Sequence, residues 1–172
     1  MNNPDLKVLR FMRTRGHTPA AERAAQLIAK SGENGYLWIG IGLAGAAFDP
    51  PRRRQWLSAT AIGPVAIGLN FGIKLLVKRP RPVLDGLPPL GGAPSSLSFP
   101  SAHATASFAA ATAMSRFAPE LKLALFGAAA TMAVTRPYLG MHYPSDVAAG
   151  AVLGTIMGTV VPIPSGSSTP EG

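Results

Sequence analysis

The chain has 172 residues, of which 47% are hydrophobic and only 14% are charged, and its net charge is +8. A soluble domain carries about 25% charged residues, so this composition favours a single membrane-embedded domain. The absence of cysteine excludes disulfides and thiolate metal sites. The basic residues flank apolar segments and are not interleaved with exposed aromatic residues, so we expect no nucleic-acid partner.

The N-terminal residues 1–33 are predicted to form an interfacial amphipathic region. Residues 4–15 combine apolar and basic side chains at helical spacing, which is typical of a helix lying among lipid headgroups; a disordered basic tail is the alternative. Thr18-Pro19 is a capping signal for a second helix that ends near Lys30. His17, between the two helices, is expected to be solvated and without function. We expect no cleavable signal peptide, because the basic start lacks an adjoining apolar stretch.

Five apolar segments predict the fold class, an all-α integral membrane helical bundle of about five transmembrane helices plus the N-terminal interfacial helices. The segments are 36–48, 56–77, 104–117, 123–134 and 147–161. They make up a catalytic helical core over residues 36–161, within one membrane domain that spans residues 1–172. Lys74 lies inside the second segment and, taken alone, is expected to snorkel to the membrane surface. The proline-rich residues 78–100 predict a long irregular loop, and residues 162–172 predict a disordered tail.

The exposed polar link between the last two apolar segments, residues 135–146, is the strongest candidate for chemistry. Arg136 carries a guanidinium fork that suits a bidentate contact with phosphate or carboxylate oxygens. His142 can act as a nucleophile, or as an acid or base, near neutral pH. Asp146, four residues further on, can hold one imidazole nitrogen and leave the other free to attack, with helix capping as its structural alternative.

Two further polar clusters precede this link in the chain. Lys74 and Arg81 would present two cations from one helix face if the helix persisted that far. Ser101, Ala102 and His103 open the next apolar helix, where unpaired backbone N–H groups and the positive end of the helix dipole favour an anion. His103 lies beside that anion site and could protonate a leaving oxygen. Because two spans separate the loop from the polar link, all three clusters fall on one side of the membrane and can converge.

Together the clusters resemble the signature of the phosphatidic acid phosphatase type 2 superfamily of lipid phosphate phosphatases, which also includes vanadium haloperoxidases. The family pattern is a Lys followed after six residues by Arg-Pro, then Pro-Ser-Gly-His, then Ser-Arg with five residues to His and three to Asp. The matching positions are Lys74 with Arg81-Pro82, then Pro100-Ser101-Ala102-His103, then Thr135-Arg136 with His142 and Asp146. Ala102 replaces the family's Gly and could crowd a backbone amide on phosphate, and Thr135 replaces Ser.

The resemblance implies a metal-independent phosphomonoesterase that needs no cofactor and works through a phosphohistidine. It implies that His142 is the nucleophile, that Asp146 orients it, and that His103 is the general acid and later helps to activate water. The implied phosphate-binding residues are Lys74, Arg81, Ser101, Ala102 and Arg136. The alternative is that all these residues only anchor the protein to lipid headgroups. Vanadate-dependent halide oxidation is not expected in so apolar a chain.

The resemblance also implies a substrate class, a lipid phosphate presented by the surrounding membrane lipids. The short chain and the run 91–103 look like the actinobacterial members that dephosphorylate decaprenylphosphoryl-5-phosphoribose, a polyprenyl phosphate, for cell-wall arabinan. Undecaprenyl diphosphate, phosphatidylglycerol phosphate and phosphatidic acid are alternative substrates. A non-catalytic membrane protein that binds polyanions is the alternative from another class, and a homo-oligomer stays open.

The distribution of Lys and Arg predicts the orientation in a plasma membrane. In the five-span arrangement ten of these residues lie on the side of the N-terminus and the polar link, against five on the other side. By the positive-inside rule the candidate site is expected to face the cytoplasm. The cluster Arg52–Arg54 on the far side is the main objection.

Overall fold

The computed structural model describes residues 3–93 and 95–165, and the regular secondary structure within them is helical, with one isolated bridge between Pro80 and Leu97. The α-helices are α1 Pro4–Thr14, α2 Pro19–Ser31, α3 Tyr36–Phe48, α4 Arg53–Ala59, α5 Ile62–Val77, α6 Ala102–Phe117, α7 Lys122–Tyr138 and α8 Pro144–Val160. The predicted all-α class is therefore confirmed for this part of the chain. Of the predicted disordered tail, residues 166–172 lie outside the described residues.

The second predicted span is divided into α4 and α5 by a turn at Thr60 and Ala61. Pro64 explains the division, because it has no N–H to donate and its ring conflicts with the carbonyl four residues earlier, that of Thr60. Even so, the run Pro50–Val77, with 28 residues, is the one stretch of the described chain long and apolar enough to cross a membrane. Large apolar side chains stay exposed on several helices, among them Leu76 on α5 and Val160 on α8. Surfaces of this kind suit contact with lipid.

The polar link is shorter in the structure than the sequence predicts. Helix α7 continues through Arg136 and Pro137 to Tyr138, so the arginine lies in its last turn and not in a link. Proline is tolerated there, because it removes only one backbone hydrogen bond close to the end of the helix. The helix stops at Gly140, whose φ of 74° is a left-handed conformation that favours glycine. The link proper is therefore reduced to the few residues between α7 and α8.

Helix α6 forms the centre of the bundle and packs against α5, α7 and α8. Its alanines are buried, and α8 approaches it through three glycines at four-residue spacing. A Cβ added at Gly154 would lie 2.2 Å from the carbonyl oxygen of Thr105, so only glycine permits this approach. The two helices run parallel, and the N–H of Ser101 donates to the carbonyl of Asp146 at 2.9 Å. The beginnings of α6 and α8 therefore lie side by side.

The N-terminal helices pack onto the end of the bundle where α6 and α8 begin. Leu9 of α1 is fully buried, and the guanidinium of the buried Arg13 donates to the carbonyl of Pro88 at 2.7 Å. Helix α2 begins as predicted, with Pro19 in the first turn and Thr18 Oγ1 accepting from the N–H of Ala21. Part of the apolar side of α1 therefore contacts protein.

The expectation that His17 is solvated is wrong. Its ring stacks on Tyr138 with centroids 4.1 Å apart, and its two nitrogens lie within hydrogen-bond distance of Glu22 Oε1 and the carbonyl of Met12. The turn at Gly16, with φ of 68°, folds the linker against α7 and takes the ring out of water. His17 thus has a packing role.

Candidate active site

A cavity of about 700 Å³ lies at the end of the bundle that carries the N-terminal helices, and several elements contribute to it. Six of the eight predicted site residues line it: Lys74, Arg81, Ala102, His103, Arg136 and His142. The other two, Ser101 and Asp146, lie behind its wall and are fully buried. Three cations and two imidazoles around one cavity form a site for a compact anion with several oxygens, such as phosphate.

Lys74 does not snorkel, contrary to the expectation for this residue alone. It is only 5% exposed, and its Nζ donates to the carbonyls of Ser98 and Leu97 at 2.9 and 3.3 Å. The loop that follows α5 folds back over the helix end and supplies these carbonyls, so the ammonium is satisfied inside the protein. Its position in the cavity wall is fixed by the loop.

Arg81 reaches the cavity from the loop and not from the face of α5. The helix ends at Lys78, whose φ is 53°, so the predicted arrangement of Lys74 and Arg81 on one helix face is wrong. The guanidinium of Arg81 donates from Nε to the carbonyl of Ser95 at 2.8 Å and from Nη1 to that of Met141 at 2.6 Å. These bonds hold the cation beside the α7–α8 link.

His142 is buried, with 2% of its surface exposed, so the prediction of an exposed link is wrong for this residue. The bond from Arg81 to Met141 closes the loop over the link and covers the ring. The Nε2 atom of His142 lies 3.1 Å from Nη1 of Arg81. A guanidinium can only donate, so Nε2 accepts and the proton of the neutral ring is on Nδ1. This tautomer places the lone pair of Nε2 on the side of Arg81, so Arg81 must release it before Nε2 can attack a ligand in the cavity.

Asp146 stands behind His142 in the first turn of α8. Its Oδ2 accepts from the backbone N–H of Tyr143 at 2.9 Å and lies 3.5 Å from Nδ1 of His142. This second separation is too long for a hydrogen bond, and Nδ1 has no other partner among the described residues. Asp146 therefore caps α8 and also faces the imidazole, about half an ångström beyond bonding distance. The capping contact, the structural alternative for Asp146, is therefore present, and the same side chain also faces the imidazole.

Burial controls the charge of His142. It lowers the pKa of this imidazole to about 4; the nearby Asp146 opposes the shift, and the cations Arg81, Arg136 and Lys74 add to it. His142 is consequently neutral at pH 7. A neutral ring with an available nitrogen is the form that a nucleophile requires.

Arg136 enters the cavity from the last turn of α7 and is only 6% exposed. Its Nε has no hydrogen-bond partner among the residues that the structure describes. A buried guanidinium with an unused donor is costly unless an anion completes it. Arg136 is therefore available to a ligand in the cavity.

His103, in the first turn of α6, is held by the N-terminal helices. Its Nε2 lies 3.0 Å from the carbonyl of Ala29 in α2, and because a carbonyl only accepts, Nε2 carries a proton. The neighbouring Gly32 packs closely here: a Cβ there would lie 2.5 Å from Met132 Sδ and 2.9 Å from His103 Cδ2, so one of these side chains would have to shift. The end of α2 thus holds a histidine of the cavity, and Gly32 just after the helix lines the cavity itself, which the sequence does not predict.

Sequence reasoning also missed Arg79, which contacts the site from behind. Its Nη1 donates to Asp146 Oδ1 at 2.8 Å, and its guanidinium lies 3.9 Å from the ring centroid of Tyr143. Arg79 precedes Arg81 by two residues in the run Lys78-Arg79-Pro80-Arg81-Pro82, so the clustering of basic residues could have indicated it. By contrast, Asp5, which bonds Arg79 from α1, has no signal in the sequence.

The chain is similar in sequence to one protein family and to named phosphatases of mycobacteria. The sequence pattern of the PAP2 superfamily matches residues 55–165. A decaprenylphosphoryl-5-phosphoribose phosphatase of Mycobacterium tuberculosis is 43% identical over 143 residues, which are 83% of this chain and 80% of that protein. The protein of the same name from Mycolicibacterium smegmatis is 37% identical over 132 residues, 77% of this chain and 72% of that one.

A solved structure also has a similar fold. The crystal structure of Aquifex aeolicus LpxE superposes with a TM-score of 0.74 at 26% identity, covering 92% of this chain and 94% of that chain. The cavity with its three cations, the buried neutral histidine and these similarities lead to one assignment. The chain belongs to the PAP2 superfamily.

Proposed function

We propose that this protein is a membrane phosphatase that hydrolyses the phosphomonoester of decaprenylphosphoryl-5-phosphoribose or a closely similar polyprenyl sugar phosphate. The observation that carries the proposal is the cavity in which Lys74, Arg81 and Arg136 surround a neutral His142 whose Nε2 carries the lone pair. The names of the two mycobacterial relatives support the substrate class.

His142 is the nucleophile of the proposed reaction. Its Nε2 attacks phosphorus, an N–P bond forms, and the bond between phosphorus and the ester oxygen breaks. Asp146 then accepts a hydrogen bond from Nδ1 and stabilises the positive charge that develops on the ring. The distance of 3.5 Å between these atoms closes as the ring becomes charged. This step yields a phosphohistidine and the dephosphorylated lipid, whose headgroup now carries a free hydroxyl.

His103 is the acid and then the base. Its Nε2 proton is engaged by Ala29, so the proton that it gives to the leaving oxygen comes from Nδ1, and the proposed reaction requires the ring to take up this second proton when the phosphate dianion binds. In the second step Nδ1 takes a proton from water while the water oxygen attacks phosphorus and the N–P bond breaks. Inorganic phosphate leaves, and both histidines return to their starting states.

The remaining site residues bind the phosphate. Lys74, Arg81 and Arg136 stabilise the negative charge on the phosphoryl oxygens as the transition state forms. Ser101 and Ala102 supply the beginning of α6, where the dipole and unpaired N–H groups favour an anion. The hydroxyl of Ser101 caps the helix by accepting from Ala104, so the contribution of this residue to phosphate is through the helix it starts.

The test is phosphate release by purified protein from a panel of lipid phosphates. We expect the phosphoribosyl lipid to be hydrolysed with a higher kcat/KM than undecaprenyl diphosphate, phosphatidylglycerol phosphate or phosphatidic acid. His142→Ala should lower kcat by at least about 10³-fold, because no other group replaces a nucleophile. His17→Ala is the matched control, a histidine outside the cavity, and should keep wild-type activity.

Each other outcome of this panel has a distinct meaning. A preference for one of the other three lipids would refute the phosphoribosyl substrate but retain the phosphatase. Hydrolysis by His142→Ala at a near wild-type rate would refute the phosphohistidine mechanism. Binding of polyanions without release of phosphate from any substrate would favour the non-catalytic alternative.

We further propose a multi-pass protein of the plasma membrane, with α3, the run α4–α5, α6, α7 and α8 as its five spans and the cavity facing the cytoplasm. The N-terminal helices contact the cavity end, whereas Arg52 bonds the carbonyl of Phe117 and Glu120 at the opposite end. In this arrangement ten Lys and Arg residues lie on the cavity side and five on the other side. By the positive-inside rule this difference favours a cavity that faces the cytoplasm.

Because the chain has no cysteine, single cysteines can test the orientation directly. Asp85→Cys lies in the exposed loop at the cavity end, and Arg53→Cys lies at the opposite end. In intact cells an impermeant maleimide should label position 53 and leave position 85 unlabelled until the cells are opened. Labelling of position 85 alone in intact cells would place the cavity outside and refute the cytoplasmic orientation.

A further inference from the structure

The first helix is bonded to the catalytic end of α8 through one carboxylate. Asp5, in the first turn of α1, accepts from the backbone N–H of Ser145 at 3.0 Å through Oδ1. Its Oδ2 accepts from Nη2 of Arg79 at 2.9 Å and also from the hydroxyl of Ser145. Asp5 of α1 therefore joins Arg79 of the loop to Ser145 of α8, although it lies 74 and 140 positions before them in the sequence.

Arg79 divides its guanidinium between two carboxylates. Nη2 is used by Asp5, while Nη1 donates to Asp146 Oδ1 and to the hydroxyl of Ser145, each at 2.8 Å. Arg79 therefore touches only one oxygen of Asp146. The other oxygen, Oδ2, remains with the N–H of Tyr143 and faces Nδ1 of His142.

This division has a consequence for His142. A guanidinium with two unoccupied N–H groups binds a carboxylate through both oxygens, in the fork geometry. Without Asp5, the fork of Arg79 would be free to engage Oδ2 of Asp146 as well as Oδ1. That contact would compete with Nδ1 of His142 for the same oxygen, and the full charge of Arg79 would act on Asp146.

We propose that Asp5 is a positioning residue for this reaction: by occupying one arm of Arg79 and fixing Ser145, it keeps Oδ2 of Asp146 directed at His142. The inference rests on the proposed function. It makes α1, which lies outside the matched family region and is predicted from sequence as a surface helix, part of the machinery that prepares the nucleophile.

The charge state of Asp5 agrees with this role. Burial raises the pKa of this carboxyl, but the hydrogen bonds from Ser145 and Arg79 outweigh it, so the pKa lies below its usual range and Asp5 is ionised. Asp5 is also not needed merely to attach α1 to the protein. Leu9 and Arg13 anchor the same helix independently, through full burial and through bonds to the carbonyls of Pro88 and Tyr138.

The experiment compares Asp5→Asn and Asp5→Ala with Arg13→Gln, a control that loosens the same helix without touching Arg79. We expect Asp5→Asn and Asp5→Ala to lower kcat on the phosphoribosyl lipid about tenfold with KM within about twofold, because the phosphate-binding cations are untouched. Arg13→Gln should keep kcat within about twofold of wild type. Equal losses of kcat in all three variants, or wild-type kcat in the Asp5 variants, would overturn the inference.

A double-mutant cycle tests the route through Arg79. Asp5→Asn should change kcat by less than about twofold in an Arg79→Ala background, since its target is gone. Independent, multiplicative losses would overturn the proposed coupling. The proposed function is tested separately by the wild-type protein: failure of wild type to release phosphate refutes the function, whereas active wild type with unaffected Asp5 variants refutes only the positioning role.

Discussion

Replacing Asp146 by asparagine tests the geometry behind His142. Both oxygens of Asp146 face donors, Oδ1 towards Arg79 and Oδ2 towards the N–H of Tyr143 and Nδ1 of His142. An amide offers one oxygen only, and the charge of Arg79 will take it. The amide N–H₂ then faces His142 and favours the tautomer with the proton on Nε2, which cannot attack phosphorus.

The magnitude follows from the comparison with a buried triad aspartate, whose change to asparagine costs about 10⁴-fold in kcat. The distance of 3.5 Å in the resting site means that part of the interaction forms only during the reaction. We therefore expect kcat to fall about 10³-fold, or about 4 kcal/mol in activation free energy. The free energy of unfolding should fall by about 1–3 kcal/mol, because a buried donor loses its charged acceptor.

The assay is phosphate release under saturating substrate, together with thermal unfolding in detergent. Asp49→Asn is the matched control, since Asp49 accepts from Arg52 and Trp56 at the opposite end of the bundle. Its kcat should equal that of wild type. Wild-type kcat in Asp146→Asn would mean that this side chain only caps α8, and the orienting role would be refuted.

Three further predictions concern the cations, the charge of His142 and the helix packing. Activity should survive EDTA, since three cations stabilise the phosphoryl oxygens, and vanadate should inhibit; restoration of stripped enzyme only by a divalent metal would contradict this. The ring of His142, followed by NMR of labelled histidine, should titrate near pH 4, and a midpoint near 6.5 would contradict its burial. In the unfolded chain the same imidazole binds its proton near pH 6.5. The neutral ring of His142 therefore contributes fully to the free energy of unfolding above that pH, and this contribution is lost as the pH falls towards 4. Gly154→Ala should lower the unfolding temperature and the activity, at a cost of about 1–3 kcal/mol, whereas Gly40→Ala, with open space around it, should not; equal unfolding temperatures would refute the close α6–α8 approach.

The helical regions and the family signature could be predicted from the amino-acid sequence alone. Apolar segments bounded by prolines, glycines and charges mark five helical regions, and Thr18 with Pro19 marks the start of α2, because these signals act within one or two turns. The signature of Lys74, Arg81, His103, Arg136 and His142 is likewise readable from spacing. The ends of the helices were predicted less accurately: Arg136 lies inside α7 because Gly140, and not Pro137, ends the helix.

The environment of each of these side chains depends on long-range contacts and could not be predicted from the sequence. Lys74 and His142 are buried because the loop after α5 folds back and supplies carbonyls and Arg81, contacts that join residues 23 to 61 positions apart. Asp5 meets Ser145 across 140 positions. Such pairings leave no periodic pattern, since each partner is locally an ordinary loop or surface residue. The close approach of α8 to α6 through its glycines, which brings the beginnings of both helices together, is likewise a property of the folded bundle.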